Sequence, residues 1–330
     1  MTNTGGKVVA NLRQKFVSPK VLRWFPGHMT KGLKQMQQRL KNIDCILEVH
    51  DARVPISGRY ADFSKTLTGL KPHILVLSKI DLTDTRYTES IVSTLNREGL
   101  SNIIFTNLKK ENCKGMKQIL PLAKKLILDS QRYNRAEEES YSMMVIGVPN
   151  VGKSSLINCL RNNHLHLSGK AAPVGAVAGI TRAVMTRIKI SEDPTVYLID
   201  TPGILTPSIN DIHTGFKLAL VGCLQDKVVG SYLLADYLLF LLNKNDRFEY
   251  VEKLGLPEPN DNVSYVLTYI AAKLAKTVRI KNYNNKIQVM PDLQYAADYF
   301  ISLFRKGELG VYCLDIDLLE TSQNCEVSLA

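Results

Sequence analysis

The chain has 330 residues, 45% of them hydrophobic, which allows about two domains of ordinary size, each with a core. The longest apolar run, 233–242, is broken by Asp236 and falls well short of the roughly 18 residues of a membrane span, which argues against a transmembrane helix. A formal net charge of +11 points to a polyanionic partner, nucleic acid or an anionic membrane surface; six scattered cysteines without a Cys-x-x-Cys pair argue against structural zinc and for a reducing compartment.

Residues 1–43 carry Lys7, Arg13, Lys15, Lys20, Arg23, Lys31, Lys34, Arg39 and Lys41 and no acidic side chain. That fits a mitochondrial targeting segment or a basic RNA-contacting arm. A helical pattern at 31–40 leads into 43–49 (IDCILEV), which reads as a buried strand ended by the loop HDARVP. Strands are expected again at 74–77 (ILVL) and 103–105, with helices at 88–96 and 115–128, and residues 137–139 (EEE) read as a solvated linker. Residues 141–146 (YSMMVI) read as a strand opening into a glycine-rich loop and a helix from Lys153; 183–190 and 196–199 are two more strands. Strands alternating with helices at this spacing predict an α/β, doubly wound, largely parallel sheet. After about residue 205 the pattern changes, and 213–224, 226–243, 262–274 and 292–305 read as amphipathic helices, with Tyr232, Tyr237 and Phe240 as core.

The strongest motif is Gly147-Val148-Pro149-Asn150-Val151-Gly152-Lys153-Ser154, which fits G-x-x-x-x-G-K-[ST] between a predicted strand and helix. Glycines let backbone amides close on phosphates, and the helix beginning at Lys153, Ser154 and Ser155 turns its positive end toward the anion. Lys153 is expected on the β- and γ-phosphates and the Ser154 hydroxyl on Mg²⁺. Asp200-Thr201-Pro202-Gly203 follows a strand, so Asp200 can hold Mg²⁺ and the Gly203 amide can meet the γ-phosphate. Thr181, in Gly179-Ile180-Thr181 between the two, would complete the Mg²⁺ shell only with a γ-phosphate present, which makes its loop a switch. In Ser78-Lys79-Ile80-Asp81, the Asp81 carboxylate can accept from guanine N1 and N2 together, a pair adenine lacks, while Lys79 lays its stem over the base. Arg53 and Asp51 sit at a strand end, where Arg53 would contact RNA, brace the switch or form a structural ion pair.

These boxes, with the base-reading box ahead of the phosphate loop, and with Trp24-Phe25-Pro26-Gly27-His28-Met29 and Asp51-Ala52-Arg53-Val54-Pro55, resemble the circularly permuted GTPases of the ribosome-biogenesis YlqF/RbgA family, nearest its mitochondrial ribosome-associated GTPase 1 subgroup. The likeness runs from about residue 24 to 310. It implies a P-loop GTPase sheet domain, circularly permuted, at 24–206, an all-helical, rRNA-binding domain at 207–330, and a basic leader at 1–23. It also implies that His28 acts near the attacking water, that Asn150 helps hold K⁺, and that Thr106 and Asn107 fill the last base-contact box. Some positions depart from the family. Ser78 replaces an asparagine, which lowers the expected guanine affinity; Phe105-Thr106-Asn107 stands where Ser-Ala is usual; Ala178-Gly179 replaces Pro-Gly before the switch threonine. Ile204, like its counterparts in the family, cannot orient water by hydrogen bonding, so intrinsic hydrolysis is expected to be slow.

The resemblance therefore implies GTP/GDP and Mg²⁺, with K⁺ as a further ion, and a monomer acting with the mitochondrial large ribosomal subunit and its rRNA rather than with DNA. The location it implies is the matrix, with peripheral contact at the inner membrane left open. Because Asp200–Gly203 precedes the C-terminal domain in this permuted order, ordering of the switch is expected to move that domain. Lys273, Lys276, Arg279, Lys281 and Lys286 are the expected phosphate contacts there. Two rivals stand beside ribosome-stimulated GTP hydrolysis in subunit assembly: a nucleotide-gated rRNA scaffold with little functional hydrolysis, and an ATPase, raised by Ser78.

Overall fold

The computed structural model describes residues 12–17, 36–59, 71–110, 113–132, 135–165, 171–172, 187–203, 211–281 and 287–319. They form two compact units, one from Trp24–Leu224 and Val311–Ala330, the other from Met1–Arg23 and Gln225–Gly310.

The first unit is built on a six-stranded sheet. Its elements are β1 (Cys45–Asp51), β2 (His73–Ser78), α1 (Thr88–Arg97), β3 (Ile103–Phe105), α2 (Lys114–Leu128), β4 (Tyr141–Ile146), α3 (Lys153–Leu165), β5 (Arg187–Glu192), β6 (Thr195–Asp200) and α4 (Ile212–Leu220). Strand order is β3-β2-β1-β4-β6-β5, parallel except for β5 against β6. β1 and β4 are buried along their whole length; β4 is apolar except for Ser142, whereas β1 also buries Glu48, His50 and Asp51, with Glu48 meeting His50 at 2.7 Å and His73 at 2.8 Å. From β1 the chain winds outward through β2 to β3; from β4 it winds the other way. The order reverses between β1 and β4, and ligands of open α/β sheets bind in the crevice beyond the strand ends at such a reversal. β1, β2, β3, β4 and β6 all end at that edge, at Asp51, Ser78, Phe105, Ile146 and Asp200.

The units divide differently from the expected break at 206/207. α4 stays with the sheet unit because Phe216, Leu218, Ala219 and Leu220 are buried, and the Lys217 ammonium, also buried, meets Asp315 at 3.3 Å and Asp317 at 2.7 Å. Residues 311–319 return to the same unit. Cys313 and Leu319 join Ala52, Leu75, Leu77, Ile91, Leu95 and Leu100 in one cluster. The Leu314 amide donates to the Arg53 carbonyl (2.8 Å) and the Tyr312 amide to the Leu82 carbonyl (3.1 Å). The Asp315 carboxylate, fully buried, accepts from the amides of Ile56 and Ser57 and from the Ser57 hydroxyl.

The second unit contains α5 (Asp226–Val229), α6 (Ser231–Lys244), α7 (Glu249–Leu254), α8 (Val263–Lys273), β7 (Thr277–Lys281), β8 (Ile287–Pro291) and α9 (Leu293–Lys306). The expected helix 226–243 is broken at Gly230, whose φ of 91° is left-handed and open to glycine alone at little cost. α8 and α9 are capped by Asn262 and Asp292, whose side chains accept from the amides of Tyr265 and Tyr295. The helices are joined by an antiparallel hairpin, β7–β8, that the all-helical expectation did not contain. Tyr237 and Phe240 are core, as expected. Tyr232 is not: its ring is 40% exposed and its hydroxyl meets Ser264. Residues 12–17 belong to this unit's packing. The Phe16 ring lies 5.0 Å from Tyr237 and 5.6 Å from Phe240, and the Arg13 guanidinium bridges Asp236 (2.7 Å) and Asp261 (2.9 Å).

Candidate nucleotide site

The phosphate loop runs from the end of β4 into the first turn of α3. Gly147 has φ 140° and Gly152 φ 100°; a Cβ on the first would stand 2.2 Å from the Val49 carbonyl oxygen, and one on the second 2.7 Å from Leu108 Cδ1. The positive φ favours glycine at both positions, and at Gly147 the clash with backbone excludes any side chain as well. Asn150 holds a left-handed φ of 60° and its amide nitrogen donates to the Gly222 carbonyl at 2.8 Å. Lys153 folds back over the loop, its ammonium donating to the carbonyls of Val148 (2.8 Å) and Gly147 (3.2 Å). Burial pulls its pKa down to about 8 despite the nearby Asp200 carboxylate.

The Ser154 hydroxyl donates to Asp200 Oδ2 at 3.0 Å, joining the two expected Mg²⁺ ligands. Among the described residues Asp200 Oδ1 is buried and has no hydrogen-bond partner, and burial raises the carboxyl pKa above its ordinary range. A hydroxyl and a carboxylate with an unsatisfied buried oxygen suit a hard, oxygen-seeking cation, so the residues fit Mg²⁺. Thr201 fixes the strand exit by donating to the Val145 carbonyl (2.6 Å). Gly203 lies against the phosphate loop: a Cβ there would come within 2.6 Å of the Pro149 nitrogen.

The turn expected to read the base leaves β2 beside this loop. The Ser78 hydroxyl lies within reach of two carbonyls, that of Val151 in the phosphate loop (2.6 Å) and that of His50 (2.9 Å), and its single proton goes to the nearer, Val151. Lys79, with left-handed φ 57°, reaches Asp51 Oδ2 and the Asn150 carbonyl, both at 2.9 Å. The early turn and the later loop are therefore stitched together by two side chains some seventy residues upstream of their acceptors. Asp81 stands at the rim, its carboxylate 3.2 Å from the exposed Lys109 ammonium. The last expected box lies alongside: the Thr106 carbonyl accepts from the Ile80 amide, and the Asn107 side chain accepts from the Lys109 amide. Ser155 follows Ser154 in the first turn of α3.

Arg53 does not face solvent, which sets aside the RNA-contact reading. It is buried and bonded through Nε and Nη2 to the two oxygens of Asp51, at 2.9 and 2.8 Å. Burial works to raise the Asp51 pKa, but the Arg53 and Lys79 charges prevail and hold it well below the usual carboxylate range. Asp51 thus links the Arg53 loop to the base turn. The sequence singled out that pair without showing that Lys79 completes it. Nothing in the sequence marked Gly222 or Leu108 as neighbours of the phosphate loop. His28, Thr181, Ile204 and Lys286 lie outside the described residues, as does the segment Trp24 to Met29.

The family described as 50S ribosome-binding GTPase matches residues 142–269. Mitochondrial GTPase 1 of Aedes aegypti is 54% identical over 91% of this chain and 96% of its own length. Mitochondrial ribosome-associated GTPase 1 of Mus musculus is 51% identical over 91% of each chain. The crystal structure of GNP-bound YlqF from T. maritima superposes with a TM-score of 0.52 at 22% identity, over 85% of this chain and 95% of that one, and so shares its fold. Permuted order, site geometry and sequence identity agree: the chain belongs to the mitochondrial ribosome-associated GTPase 1 family of circularly permuted GTPases.

Proposed function

We propose that this GTPase works in the mitochondrial matrix on the large ribosomal subunit during late assembly, docking with GTP and leaving after hydrolysis stimulated there. The observation that carries the nucleotide half of this reading is the stitching of the base turn to the phosphate loop by Ser78 and Lys79. The ribosomal half is supported by the names of the relatives and by the net charge of +11.

In this reading Asp81 exchanges Lys109 for the guanine edge. Lys153 leaves the carbonyls of Gly147 and Val148 for the phosphates, and Ser154 and Asp200, with Thr181, would hold Mg²⁺, which neutralises phosphate charge when bound. Asn150 would contribute to a K⁺ site, and His28 would act near the attacking water. Ile204 offers no group to orient that water, so the chain alone hydrolyses slowly. A group supplied by the subunit is worth about 10³–10⁵ in rate.

Hydrolysis measured with and without isolated mitochondrial large subunits, in potassium and in sodium, tests the proposal. It expects GTP to outcompete ATP, and subunits to accelerate turnover, more so in potassium. Ile204 also favours the rival rRNA scaffold. No acceleration by subunits, together with normal subunit maturation by a hydrolysis-blocked variant, would establish the scaffold instead.

A further inference from the structure

The β7–β8 hairpin has an unusual surface. Register pairs Arg279 with Val289 and Lys281 with Ile287, and residues directly opposite in an antiparallel pair share a face. One face therefore carries Arg279 and Lys281 beside Ile287, 65% exposed, and Val289, 59% exposed. Residues 273–291 hold Lys273, Lys276, Arg279, Lys281 and Lys286 and no acidic residue.

The structure separates these cations. Lys273 donates to the Leu254 carbonyl at the end of α7 (2.8 Å), and Lys276 lies 4.9 Å from the centre of the Tyr295 ring at the hairpin's root. Arg279 and Lys281 form no ion pair among the described residues. A two-stranded ribbon with both strands exposed gains little stability from its own unit. Its exposed aliphatic side chains beside a row of cations suit a surface that a charged partner covers.

We propose that this face is a ribbon that lies on double-stranded RNA, with Arg279 and Lys281 on the phosphates and Ile287 and Val289 against the sugars. The wide, shallow minor groove of A-form RNA presents riboses beside each phosphate row, the arrangement that matches a row of cations on β7 beside a row of aliphatic side chains on β8. The charge of the segment chooses a polyanion over an apolar protein surface. The proposal rests on the rRNA-binding reading of this domain and names the surface that makes the contact.

The test uses the full chain with a synthetic RNA duplex, a DNA duplex of the same sequence, and isolated large subunits. The Arg279→Glu/Lys281→Glu variant should bind RNA more weakly, and its affinity should fall about tenfold less than the wild type's between 50 and 200 mM salt, as expected for two lost phosphate contacts. Ile287→Ser/Val289→Ser should weaken RNA binding with an unchanged salt slope. The urea midpoint of the helical unit, which reports the fold around the hairpin, and GTP affinity, which reports the sheet unit, should be unchanged in both. Equal affinity of the wild type for RNA and DNA duplexes would overturn the groove fit. Undiminished RNA binding by both variants would overturn the ribbon while leaving rRNA binding intact. Loss of subunit binding without loss of duplex binding would overturn it in favour of a protein contact. A wild-type chain that binds no RNA would remove the underlying reading as well.

Discussion

The proposed contact of Lys153 with the phosphates couples nucleotide binding to a proton. Buried and hydrogen-bonded to carbonyls, its ammonium has a pKa of about 8 against 10.5 for a free lysine, a difference of about 3 kcal/mol. Because the folded value is depressed, the charged lysine destabilises the fold by the full amount below pH 8, and the penalty is relieved as pH rises from about 8 to 10.5. Phosphates against Lys153 restore its ordinary affinity for a proton. GDP or GTP binding should therefore take up roughly 0.1 proton at pH 7, about 0.5 at pH 8 and about 0.9 at pH 9, with affinity falling about fivefold over the last unit. Calorimetric titrations in two buffers of different ionisation enthalpy give the proton count directly. Lys153→Arg keeps the charge but does not titrate in this range, so its uptake should vanish. Buffer-independent binding enthalpies for the wild type at pH 8 to 9, or the same uptake in Lys153→Arg, would refute the argument.

Three further perturbations follow from the geometry. Gly203→Ala drives a methyl into Pro149, displacing the switch from the phosphate loop; single-turnover GTP hydrolysis should fall about 10²-fold while GDP affinity holds. Asp315→Ala strands three donors and leaves the buried Lys217 charge with its Asp317 partner, and chemical denaturation of the sheet unit should show a loss of about 2–4 kcal/mol. Arg13→Ala removes a half-exposed bridge between Asp236 and Asp261, so the helical unit should lose about 1–2 kcal/mol, read from its urea midpoint; no loss would mean that residues 12–17 are dispensable to the fold.

The sheet unit was legible because its signals are local. β4 is an apolar run broken only by Ser142, β1 keeps an apolar stretch at residues 45–47 despite Glu48 and His50, and each motif sits at a strand end, where fold rules place ligands. The phosphate loop, Asp200 and the Ser78–Asp81 turn could be found one by one. The role of Ser78 could not: read as a weakened base contact, it is a tie between two loops, visible only once Val151 lies beside it. Gly230 escaped notice because the apolar spacing of 226–243 continues through it, and only its φ shows the break. The hairpin was missed because neither strand is buried, so burial imposes no period on the pattern. The return of residues 311–319 rests on Asp315 contacts spanning about 100 to 260 residues, beyond any local pattern.

In the proposed site, Asp81 and Lys153 grip opposite ends of one guanine nucleotide. Asp81→Asn exchanges an acceptor pair for an amide, which matches xanthine, whose 2-oxo group accepts where guanine donates. Binding of GTP, xanthosine triphosphate and ATP to this variant and to the wild type is the direct measurement. Two charge-assisted hydrogen bonds at about 1.5–3 kcal/mol each predict at least a 10²-fold loss for GTP and a gain for xanthosine triphosphate. Unchanged GTP affinity in Asp81→Asn would contradict the account.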